Sequence, residues 1–93
     1  MITFEQARDR ALTAIIANWG DMNATPYVAE QGWEDQDWYL VEYGTREHLV
    51  DGDMNFMLLT NLSMFVHKQT GIIETYTTNT IFERLNKMTP VSA

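Results

Sequence analysis

Phe4, Ala7, Ala11, Ile15 and Trp19 recur at spacings of three and four, and Leu12 and Ile16 widen the same stripe. That period predicts an amphipathic helix from about Phe4 to Asn18. Thr3 with Gln6 three residues on is a capping box that opens it. Gly20 follows its last periodic residue, where a helix-ending glycine belongs. Glu5, Arg8, Asp9 and Arg10 fall on the solvent side. A helix this short is not stable alone in water, so its stripe must lie on a sheet.

Further on the pattern changes to period two. Leu62-Ser63-Met64-Phe65-Val66-His67 and Ile72-Ile73-Glu74-Thr75-Tyr76-Thr77-Thr78 flank the connection Lys68-Gln69-Thr70-Gly71. Two β-prone runs around a short link ending in glycine predict an antiparallel hairpin, with Gly71 at positive φ. Leu62, Met64 and Val66 share the core-facing side. Trp38 to Tyr43 is large on both faces and reads as a central strand. Tyr27 to Glu30 is a short strand cut by Gly32, and Glu34 to Asp37 is polar enough to be a turn.

The remaining segments carry weaker patterns. A loop is expected from Asp21 to Pro26. Arg46 to Val50 reads as an extended continuation, Asp51-Gly52-Asp53 as a turn, and Met54 to Leu59 as a helical turn or buried connection. Thr80 with Glu83 predicts a second capping box and a short helix with Ile81, Phe82, Leu85 and Met88 inward. Pro90 ends that helix and Val91-Ser92-Ala93 is expected to fray. The sum is one α+β domain over residues 1–93: a three- to five-stranded antiparallel sheet with an N-terminal and a short C-terminal helix packed on one face.

A chain of 93 residues, 45% of them hydrophobic, sustains one core. It buries roughly 60–65% of its unfolded surface, a thin margin. There is no cysteine, so disulfides, thiolate metal sites and cysteine nucleophiles are excluded. Met1-Ile2-Thr3-Phe4-Glu5 has no basic region followed by a long apolar run, and no stretch approaches the ~20 apolar residues of a membrane span. A cytoplasmic location is the expectation. The net charge is −7, and it is uneven: residues 21–53 hold nine acidic residues against Arg46 alone, a net of −8. Nucleic acid and anionic membrane are disfavoured as partners by repulsion, whereas a basic protein face is attracted.

Catalytic patterns are missing. His48 and His67 are the two imidazoles, and neither stands at ligand or nucleophile–base spacing. No nucleophile elbow, phosphate-binding loop or dinucleotide glycine motif is present. Asp51-Gly52-Asp53-Met54-Asn55 begins like a calcium loop. It then has Phe56 where glycine is required and Leu62 where a bidentate glutamate is required. The reading is therefore no enzyme, no catalytic residue, no metal, no cofactor and no small-molecule substrate. What rises above background is Trp33-Glu34-Asp35-Gln36-Asp37-Trp38-Tyr39, where three large aromatics bracket three carboxylates. Interface centres favour rigid aromatics, and charge sets the encounter rate.

Residues from Trp38 to Leu85 resemble bacterial immunity protein family 35, the YrhB-like domain. The resemblance rests on Trp38-Tyr39, the Arg46-Glu47-x-Leu49-x-x-Gly52-Asp53 segment, Asn61, the Phe65-Val66-x-Lys68-x-Thr70-Gly71-x-Ile73 hairpin and a terminal helix. The Met1-Ile2-Thr3 start before an amphipathic helix also fits, while the Trp33–Asp37 stretch is this chain's own. These motifs are structural, not catalytic. The resemblance implies a small cytoplasmic antidote, encoded beside a cognate interbacterial toxin that it binds and neutralises, often one with a papain-like cysteine protease or related fold. The alternative is a small holdase-type chaperone using an exposed apolar sheet face. Candidate partner-binding residues are Glu30, Trp33, Glu34, Asp35, Asp37, Tyr39, Asp51 and Asp53, facing a basic toxin surface.

Overall fold

The computed structural model describes residues 1–20, 23–57, 62–77 and 80–93. Helix α1 (Phe4–Ala17) is followed by strands β1 (Pro26–Glu34) and β2 (Trp38–Thr45). A one-turn helix α2 (Arg46–Leu49) and a 3-10 turn (Met54–Phe56) lead on to strands β3 (Leu62–His67) and β4 (Ile73–Thr77). A one-turn helix α3 (Phe82–Leu85) and strand β5 (Thr89–Ser92) complete the chain. Among the described residues the strands make one antiparallel sheet of five, ordered β4-β3-β2-β1-β5. This is the α+β class the sequence predicts. The expectations for Asp21, Leu58, Leu59, Asn61, Thr78 and the Leu62 side chain lie outside the described residues.

The capping box of α1 is formed: Thr3 Oγ1 accepts from the Gln6 amide, and the Thr3 amide donates to Gln6 Oε1. Phe4, Ala7, Ala11 and Ile15 are buried against Val28, Tyr39, Val41, Met64 and Val66. The start of the chain is pinned as well, since the Ile2 amide donates to the Lys68 carbonyl and the Tyr39 hydroxyl donates to the Ile2 carbonyl.

A second cluster joins Leu40, Phe65, Ile81 and Met88, with Trp33, Trp38 and Leu85 packed around it. Leu40 follows Tyr39 and Phe65 precedes Val66, so strand alternation places the two clusters on opposite faces of the sheet. The expectation that both helices share one face is therefore corrected. β2 and β3 are apolar on both sides, and the segment around α3 covers what α1 leaves bare.

Gly32 does not cut β1. Val28 pairs with Tyr43 and Gly32 with Val41, so Ala29, Glu30 and Gln31 bulge opposite Glu42. Arg8 reaches across from α1 to the bulge, donating from Nε to the Ala29 carbonyl (2.8 Å) and from Nη2 to the Val28 carbonyl (2.9 Å). Gly32 is required there by space: a Cβ would lie 2.4 Å from the Leu40 carbonyl oxygen and 2.8 Å from the Phe4 ring.

The chain end does not fray. β5 pairs with β1 from Thr89 opposite Glu34 to Ser92 opposite Gln31, and the Ala93 amide donates to the Glu30 carbonyl. Proline is tolerated because β5 is an edge. Arg46 to Leu49 is helical, not extended, because Thr45 Oγ1 caps it by accepting from the His48 amide. Thr80 does not cap α3; its hydroxyl donates to the Thr77 carbonyl instead. Phe82 points outward at 58% exposure, whereas Ile81 and Met88 are buried. Gly71 has φ 73° as the hairpin requires, and Gly52 turns at φ 74°.

Candidate functional site

The β1–β2 hairpin carries most of the candidate residues, and its turn is built by Asp35. Asp35 Oδ1 accepts from the amides of Asp37 and Trp38, while the Asp35 amide donates to the Trp38 carbonyl. The carboxylate thus replaces backbone partners that a short loop cannot supply. Its Oδ2 also lies 3.6 Å from Arg84 Nε. The Arg84 guanidinium sits 4.1 Å from the Phe65 ring centroid and 5.5 Å from that of Trp38. Glu34 is engaged too, 2.8 Å from Lys68 Nζ, and Lys68 is itself 7% exposed. Two of the turn's three carboxylates are therefore satisfied within the fold, and Asp37 is the exposed one.

Tyr39 is turned into the core. It is buried, its ring 5.5 Å from that of Phe4 and its hydroxyl spent on Ile2. This corrects its place among the contact residues: period two turns it to the α1 side. Trp33 is half-buried at the edge of the second cluster, and Glu30 is exposed on the bulge. Asp51 is exposed, while Asp53 Oδ1 accepts from the Asn55 amide and caps the 3-10 turn. α2 follows the far end of β2, so Asp51 and Asp53 stand about 25 Å along that strand from the hairpin turn. The acidic third of the sequence is divided between two ends of the molecule.

At the far end, Glu47 accepts from the Thr25 amide and hydroxyl, tying α2 to the start of β1. Those hydrogen bonds hold its carboxyl below the usual range. His67 has a structural task as well, with Nδ1 accepting from the amides of Gln69 and Thr70 and its ring edge-on to Trp38. Among the described residues no three His, Asp or Glu side chains converge on a metal-binding geometry. No described helix is long and apolar enough to cross a membrane.

The feature that sequence reasoning missed is a groove. Gln31, Gly32, Trp33, Glu42, Pro90, Val91 and Ser92 line an open depression of about 420 Å³. Trp33, which pairs with Leu40, shares the second face with Gln31, Glu42, Pro90 and Ser92 by strand alternation. The segment around α3 covers the other half of this face, over Leu40 and Phe65. An indole beside an exposed carboxylate, walled by proline and small polar side chains, suits an arginine or lysine side chain. Glu30 adds a second carboxylate nearby, its carbonyl bonded to Ala93 at the end of β5. The signal was hidden because the wall is β5, four residues that include a proline.

No protein-family model, curated protein or solved structure matches this chain.

Proposed function

We propose that this protein is a cytoplasmic immunity protein that neutralises a cognate toxin by binding it, without chemistry of its own. The observation that carries the reading is the Trp33–Glu42 groove, a preformed aromatic-and-carboxylate surface on the uncovered half of the second face. The exposed carboxylates of the β1–β2 hairpin, Glu30, Asp37 and Glu42, support the same partner, a protein with a basic face. Rigid aromatics anchor interfaces, while surrounding carboxylates steer encounter and reject like-charged surfaces. A basic loop seated in this groove would bring the body of the domain over the toxin's cleft or substrate-docking face. Inhibition by occlusion needs slow dissociation, and a Kd near 1 nM corresponds to about −12 kcal/mol.

The test is surface plasmon resonance against the product of the adjoining reading frame. Glu30, Asp37 and Glu42 changed together to amides should slow association and flatten its salt dependence. Trp33→Ala should accelerate dissociation about tenfold or more, the loss of an anchor of about 1.4 kcal/mol or more. Stoichiometric binding that ignores both changes would move the contact surface elsewhere. Suppression of heat aggregation of unrelated clients, with no stoichiometric complex, would replace this reading with the holdase one. That alternative draws on Leu49, Val50, Met54 and Met57, all more than a third exposed.

A further inference from the structure

We infer that β4 is a self-association edge: two copies of this chain pair antiparallel through β4, joining their sheets into one across a two-fold axis at Thr75. The two edges of the sheet differ. β5 has four residues and a proline, the usual protection of an edge. β4 has five, Ile73-Glu74-Thr75-Tyr76-Thr77, with no proline, no lysine and a single charge. Glu74 to Thr77 are exposed, and among the described residues nothing pairs with the outer side of β4.

The backbone polarity of that edge follows from the hairpin. The His67 amide donates to the Ile72 carbonyl, so the alternation of an antiparallel ladder turns Glu74 and Tyr76 toward β3. Ile73, Thr75 and Thr77 then present their amides and carbonyls outward. The Thr77 carbonyl agrees, since it accepts from the Thr80 hydroxyl at 2.7 Å instead of from β3.

A two-fold axis at Thr75 sets Thr75 against its own copy and Ile73 against Thr77 of the other. The Thr75 pair can exchange both backbone bonds, and at the Ile73–Thr77 pairs the Thr77 carbonyl has its second lone pair to offer, the first being taken by the Thr80 hydroxyl. Glu74 falls opposite Tyr76 of the second chain, in the closely spaced kind of pair. The Tyr76 hydroxyl donates to Glu74 Oε2 within one chain at 2.9 Å, and this register sets the same two groups side by side across the junction, where they can share that bond. The net charge of −7 opposes pairing at long range, but it is not concentrated at this edge. Residues 54–93 carry Lys68, Arg84 and Lys87 against Glu74 and Glu83, a net of +1, while the −8 belongs to residues 21–53. The groove lies toward β5 at the other edge of the sheet, so pairing leaves it open and yields a two-headed molecule. The inference stands apart from the toxin-binding reading and survives its failure.

Sedimentation velocity of the full chain, from micromolar to near-millimolar concentration, tests it. The expected result is a mass rising from one chain to two. Thr75→Pro removes an outward amide that the β3 ladder does not use, so it should hold the protein to one chain with an unchanged circular dichroism spectrum. Thr75→Lys, which places two ammonium groups face to face on the axis, should weaken association about tenfold or more. A single-chain mass at every concentration would overturn the inference. So would a dimer that a folded Thr75→Pro and Thr75→Lys both leave intact.

Discussion

The two faces of the sheet are built from the same strands and closed by different means. On one, α1 lays four turns of small and large residues over Val28, Tyr39, Val41, Met64 and Val66, and the chain start is tied down beside it. On the other, a segment with one helical turn covers Leu40 and Phe65, and the strands toward β5 stay open. The contrast teaches where a small domain keeps room for binding. A long helix spends a whole face on stability, whereas a short cover leaves half a face open, and there the Trp33–Glu42 groove proposed for the partner is found.

The comparison is tested most severely at Phe65. Fully buried beneath a thin cover, its ring also supports Arg84 and contacts Tyr76. Phe65→Ala should cost about 4 kcal/mol in chemical denaturation. A loss under about 1 kcal/mol would mean that the second face is not a core. On the α1 side, Gly32→Ala drives a methyl group into the Leu40 carbonyl and the Phe4 ring. It should destabilise by about 3 kcal/mol, since neither backbone nor packed ring has space to yield. Lys68→Ala should cost less, about 1–2 kcal/mol, because Glu34 keeps access to water once its partner is gone.

The smallest effect concerns Glu47. Its carboxyl titrates below the ordinary value of about 4.5 in the folded chain, because the Thr25 amide and hydroxyl favour the ionised form. A depressed carboxyl contributes stability that is present above the unfolded value and lost as pH falls through the folded one. Melting temperature should therefore decline below about pH 4.5, and Glu47→Gln should make that decline shallower. Identical pH profiles for the two proteins would remove the clamp between α2 and β1 from the account.

How far the sequence foretold this is uneven, for physical reasons. α1, its capping box and the β3–β4 hairpin were legible because local signals and tertiary demands agree: apolar period, cap and positive-φ glycine coincide. The sequence pattern ends β1 before Gly32 because glycine reads as a breaker, whereas here it makes space for Phe4 beside a bulge whose carbonyls accept from Arg8. β5 was unreadable, since four residues with a proline become a strand only when an edge is waiting. The turn carboxylates were correctly placed and their availability was not, as Lys68 and Arg84 arrive from distant sequence to engage Glu34 and Asp35. Glu42 and Ser92 drew no notice because the groove exists only once β5 has docked.

The measurement closest to the central claim is hydrogen exchange of the protein alone and in complex with the product of the adjoining reading frame. New protection is expected along residues 30–33, 41–43 and 90–93, with the α1 face unchanged. Protection confined to α1 or to the 46–57 segment, or no complex at all, would contradict it.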